Sequence, residues 1–81
     1  MAQCLVTFFS THWALKAEEV LKEVGLKARL IPVPRSISSS CTVALVFDAG
    51  IEKEVLKNLA DSQVETDSLY QRSEGGKWLK M

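Results

Sequence analysis

TVALVF, residues 42–47, sets five apolar side chains in a row behind a single threonine. An extended run with no polar alternation has no side that tolerates water, so it predicts a strand covered on both faces. QCLVTFF (Gln3–Phe9) has the same β-branched and aromatic character and predicts a second interior strand. Two other runs differ. LKARLIP (Leu26–Pro32) sets Leu26, Ala28 and Leu30 against Lys27 and Arg29 and closes on a proline, the marks of an edge strand. VETDSLYQR (Val64–Arg72) alternates and is largely polar, which predicts the other edge.

Helical patterns separate these runs. In STHWALKAEEVLKEVG, Trp13, Ala17, Val20, Leu21 and Val24 recur at helical spacing, and Lys16, Glu18, Glu19, Lys22 and Glu23 take the opposite face. Ser10 or Thr11 supplies the N-cap and Gly25 the stop. AGIEKEVLKNLAD gives a second helix through Ile51, Val55, Leu56 and Leu59, with Asp48 near its start. The order is β-α-β-β-α-β, with the first and third strands interior and the second and fourth at the edges. That predicts an α+β fold, the ferredoxin-like sandwich: an antiparallel sheet in the order 4-1-3-2 with both helices on one face. Residues 1–72 form this single domain, and residues 73–81 read as a flexible C-terminal tail.

The chain has 81 residues, 47% of them apolar and 25% charged, with ten basic and ten acidic side chains. This is the balance of a small folded domain. Zero net charge argues against nucleic acid, whose binding is driven by neutralising phosphates. No run approaches the roughly 20 apolar residues of a membrane span. MAQCLVTFF lacks the basic start and cleavage site of a signal peptide, which with two cysteines predicts a cytoplasmic protein with reduced thiols.

The topology gives the passage PRSISSSCT (Pro34–Thr42) its interest. The first two strands run the same way because a helix returns between them. The turn Ser10-Thr11-His12 and the loop from Pro32 to Cys41 therefore lie at the same edge of the sheet. A cysteine becomes nucleophilic as a thiolate, which cations, a helix N-terminus or a histidine favour. Arg35 shares the loop with Cys41, and His12 is the only histidine. Ser10, Thr11, Ser36, Ser38, Ser39 and Ser40 offer hydroxyl and backbone N–H groups to an anion. The bland alternative makes His12 part of the helix cap and Cys41 a small buried residue. Cys4, toward the other end of the sheet, reads as buried packing.

Other chemistries fit less well. Two cysteines and one histidine on three elements fall short of a zinc site, and no phosphate-binding glycine motif is present, so neither metal nor cofactor is expected. In a phosphatase-type cradle the cysteine comes before the arginine; here Arg35 precedes Cys41. Gly75-Gly76 is followed by five more residues and reads as part of the tail rather than as a sulfur-carrier diglycine.

FFSTHWALKAEEVLKE and LIPVPRSISSSC, leading into the apolar strand, resemble the selenium/sulfur (Se/S) carrier protein-like family of small prokaryotic proteins. The likeness runs from about Leu5 to Phe47. It implies that Cys41 holds a persulfide or selenopersulfide, with Ser10, Thr11, His12, Arg35 and the loop serines around it. Its partners would then be sulfur or selenium donor and acceptor proteins. The competing reading is a non-catalytic module that binds a small anion or a protein through the Pro34–Cys41 loop and the start of the first helix. A third, RNA stacking on an open sheet face, would use Phe8 or Phe9 and Phe47 but lacks any basic excess. Because the interior strands carry apolar side chains of both parities, the face away from the helices is expected to be bare. A homodimer would cover it, or else Trp78 and Leu79 folding back.

Overall fold

Strand β1 (Gln3–Thr7) lies in the middle of the sheet and is antiparallel to both of its neighbours. The computed structural model describes residues 2–37, 42–73 and 76–81. Along the chain, β1 is followed by α1 (Thr11–Glu23), β2 (Ala28–Pro32), β3 (Val43–Asp48), a 3₁₀ turn (Ala49–Ile51), α2 (Glu52–Asp61), β4 (Ser68–Arg72) and β5 (Leu79–Lys80). The sheet order is β2-β3-β1-β4-β5. Its first four strands, taken from the β4 side, run 4-1-3-2, and β5 adds one more outside β4. The molecule is thus a small α+β structure with two helices and an open five-stranded antiparallel sheet. The fifth strand departs from the four-stranded sheet expected of a ferredoxin-like sandwich.

Alternation along the strands sorts the core into two clusters. Cys4, Val6 and Phe8 point to one face with Leu45 and Phe47, and there they meet Ala14, Ala17 and Leu21 of α1 and Val55 and Leu59 of α2. Both helices therefore cover this face. Leu5 points to the other face with Ala44 and Val46. That second face is not bare, contrary to expectation. Val33 and Ile37 from the β2–β3 loop, Tyr70 from β4 and Trp78 from the C-terminal segment pack over it, and Leu5 and Ala44 are fully buried. The apolar surface that called for a homodimer is thus covered from within the chain.

The segment read as a flexible tail holds part of this cover. Leu79 pairs with Gln71 and Lys80 with Tyr70, and the Met81 N–H donates to the Leu69 carbonyl at 2.8 Å. Polar, glycine-rich composition suggested a tail, but Tyr70 and Val46 leave an apolar surface that an indole fills.

Both helices end in the same way. At the end of α1 the Leu26 N–H donates to the Leu21 carbonyl and the Gly25 N–H to that of Lys22, with Gly25 at φ +78°. This is a Schellman closure, which requires the left-handed region at one residue. At the end of α2, Val64 donates to Leu59 and Gln63 to Ala60, and here the left-handed residue is Gln63 at φ +58°. A side chain there is strained, because its Cβ crowds the backbone. Asp48 caps the 3₁₀ turn by accepting from the Gly50 N–H at 2.7 Å, so α2 proper begins at Glu52, later than the sequence suggests.

Replacing Gln63 by glycine should stabilise the fold by about 0.5–1 kcal/mol, as relief of the left-handed strain outweighs the added chain entropy. Gly25→Ala should cost about 1 kcal/mol on conformational grounds, since its new Cβ would meet nothing within 4 Å. Urea denaturation of the two variants checks both signs; equal stabilities would refute the strain assignment.

Candidate functional site

The pairing register defines two ends of the sheet. At one end Thr7 of β1 pairs with Ala44 of β3, and Pro32 of β2 pairs with Val43. The chain leaves β1 here to start α1, and the β2–β3 loop departs and returns here. The described segments that carry Ser10, Thr11 and His12 and that carry Arg35 and Ser36 both leave from this end. Cys41, Ser38, Ser39 and Ser40 lie outside the described residues.

The described members are held by local bonds. Ser10 is the N-cap of α1, its hydroxyl accepting a long 3.5 Å bond from the Trp13 N–H. Thr11 and His12 fill the first two helical positions. The His12 ring is exposed and stands edge-on to Trp13, with centroids 5.6 Å apart. Lys16 lies over the same indole at 5.6 Å. In the loop, the Val33 N–H donates to the Thr42 carbonyl at 3.1 Å, extending the β2–β3 pairing past Pro32. Ile37 N–H then closes a tight turn on the Pro34 carbonyl at 3.0 Å. Ile37 is buried on the second sheet face, so the turn presents Arg35 and Ser36 outward, both exposed. No hydrogen bond or ion pair joins Ser10, His12, Arg35 and Ser36 to one another.

Cys4 has a different environment. It is fully buried in the helix-side cluster, where it pairs with Phe47 near the opposite end of the sheet. Burial pushes its thiol up to about 11; the Glu52 charge, a hydrogen bond to the Glu52 side chain and the Asp48 charge add to this. The neutral thiol is inert as a nucleophile at physiological pH. The reading of Cys4 as packing agrees with this burial.

The RNA reading loses its platform. Phe8 and Phe47 are buried beneath the helices, and Phe9 alone of the three is exposed. Alternation could not assign a face to runs that are apolar on both sides. The sequence also gave no warning of a groove of about 1060 Å³ at the end of the sheet away from the loop. Gln3, Lys22, Lys27, Arg29, Asp48 and Arg72 are among its lining residues. Three of its cations fall between residues 22 and 29, where they read only as solvated charges.

The exposed loop turn and the start of α1 set the pattern to compare with known proteins. The family model Putative Se/S carrier protein-like matches residues 3–71. The chain belongs to this family. The match spans every described element from β1 through most of β4 and both flanks of the candidate site, and it stops short of the segment that carries β5. Neither a curated protein nor a solved structure matches the chain. No helix among the described residues is long and apolar enough to cross a membrane.

The buried Cys4 thiol should make stability depend on pH. In the unfolded chain a thiol ionises near 9.0, whereas Cys4 in the fold does so near 11. The unfolded state therefore loses its proton first, and stability should fall as pH rises through that window. The loss should reach up to about 1.4 kcal/mol per pH unit. Below pH 9 this contribution is fully present. Denaturation of wild type and Cys4→Ala across pH 8–11 isolates the effect from lysine and tyrosine titration. Parallel curves would contradict the assignment.

Proposed function

We propose that the protein carries sulfur or selenium on Cys41 as a persulfide or selenopersulfide, within a transfer relay. Family membership supports this reading, and one structural observation carries it furthest. The pairing of Thr7 with Ala44 and of Pro32 with Val43 supports it, because the segments that carry His12 and Arg35 both leave the sheet at that end. On this reading the ferredoxin-like body, residues 1–72, holds the site, and residues 73–81 are accessory.

The chemistry is an exchange between thiolates. The Cys41 thiolate attacks the outer sulfur of a donor persulfide, a new S–S bond forms at Cys41, and the donor leaves as its own thiolate. Delivery to an acceptor thiolate reverses the pattern, so neither half requires an external oxidant or reductant. A selenium atom in the outer position follows the same electron count. Arg35, His12 and the positive end of α1 favour the anionic forms at each stage, and the serines of the loop donate to them. Ser10 contributes through the cap that fixes where α1 begins. The second reading is a module that binds a small anion or a partner's carboxylate without covalent chemistry. The exposure of both Arg35 and Ser36 on one turn favours it independently of the thiol.

Mass spectrometry after incubation of the reduced protein with a small-molecule persulfide tests the choice. The expected product carries one added sulfur atom at Cys41, is absent in Cys41→Ser and persists in Cys4→Ala. Wild-type protein that stays unmodified while still binding sulfate through Arg35 would favour the second reading. Iodoacetamide trapping should show Cys41 titrating below the ~8.5 of a free thiol, with Arg35→Ala moving it back toward that value. A midpoint that is unmoved by Arg35→Ala would remove the arginine from the site.

A further inference from the structure

The β2–β3 loop and the C-terminal segment both contribute to one apolar cluster on the second face of the sheet. Val33 and Ile37 from the loop, and Trp78 from the segment, all pack against the cluster built on Leu5, Ala44 and Val46. We propose that Trp78 is a positioning residue for the turn Val33–Ile37, so that docking of residues 76–81 controls the order of that turn.

Ile37 is the loop's only described side chain that is buried, at 7% exposure. Its backbone contributes one further restraint, the bond to Pro34, and Val33 contributes the bond to Thr42. With these two bonds among the described residues of the loop, the turn depends on Ile37 staying seated. Segments with few apolar contacts and exposed hydrogen bonds open at low cost, independently of the rest of the fold. Removing an indole from a cluster with only four buried members therefore acts on the least protected member first.

Trp78 is itself held by an arrangement that can be released. The Arg72 guanidinium lies 4.4 Å from the indole centroid, and its Nε and Nη2 donate to the Gln3 Oε1 at 3.2 and 2.9 Å. β5 adds a short ladder to β4, while Leu79 and Met81 remain exposed and bind nothing into the core. The hold is thus one ring, one cation and a two-residue strand. The segment also lies beyond the residues matched by the family model, which end at 71. The coupling does not depend on which chalcogen, if any, Cys41 carries.

Amide hydrogen exchange of the full-length protein tests the proposal, with Val33 and Ile37 as reporters and Val6 and Leu45 as references for global stability. In Trp78→Ala, exchange at Val33 and Ile37 should accelerate by about tenfold or more, with Val6 and Leu45 changed far less. Trp78→Phe should restore most of the protection, because a ring is again available to fill the patch. Arg72→Gln should shift Ile37 in the same direction by a smaller factor, and it decides the matter if Trp78→Ala does not fold. An Ile37 amide unchanged in Trp78→Ala, or accelerated only in step with Val6 and Leu45, would overturn the proposal. Loss of sulfur loading in every variant, with the exchange pattern intact, would refute the carrier reading and leave the coupling standing.

Discussion

Strand β1 is hydrogen-bonded along both edges and divides its side chains between two apolar clusters, so each part of the molecule refers back to it. Cys4, Val6 and Phe8 supply the floor on which α1 and α2 rest, and Leu5 lies beneath the loop and the C-terminal segment. Thr7, at the end of the strand, is fully buried and spends its hydroxyl on β4: it accepts from the Ser68 N–H at 3.1 Å. The carbonyl of Thr7 accepts from Asp67 at 2.8 Å. A polar group buried without a partner would cost about 1–3 kcal/mol, so these bonds fix where β4 begins. They also fix the end of the sheet from which α1 departs. The position of the candidate site is set by the same strand that builds the core.

This dependence explains what the sequence reveals. Unbroken apolar runs at residues 3–9 and 42–47 identify interior strands, because only a strand paired and covered on both sides tolerates them. Ser10 and Gly25 mark the ends of α1 through the hydrogen-bonding needs of helix termini, which are local. The expectation that Ser10–His12 and Pro34–Cys41 share an edge follows from strand direction, without any knowledge of side-chain packing. The wrapping of the second face is the part that stays hidden. It joins Leu5, Ile37, Tyr70 and Trp78, four residues spread across the chain, and no local pattern links them. Val33 and Ile37 sit among serines and prolines that read as loop, and their apolar character acquires meaning only once Val46 and Ala44 are seen below them. Trp78 lies among glycine and lysine, the composition of a tail. Within the site, the roots of the loop and helix are legible, whereas the inward anchoring that orients Arg35 is not.

The two cysteines show how position decides the chemistry of one residue type. Cys4 sits on a strand face sealed by two helices, near Glu52 and Asp48. Every neighbour that matters there opposes ionisation. Cys41 lies outside the described residues; of its described neighbours in sequence, Ile37 is buried and Thr42 is exposed.

The fifth strand also changes how the molecule meets its own copies at high concentration. Without it, β4 would present five residues of unpaired backbone, SLYQR, as a template for another chain. With it, Tyr70 and Gln71 of that edge are paired with Lys80 and Leu79, and Lys77 lies just before the short outer strand. The opposite edge, β2, is guarded by Lys27, Arg29 and Pro32. Short, cationic edges resist the edge-to-edge stacking that leads to fibrils. The last six residues therefore act as a colloidal safeguard, at little cost in chain length.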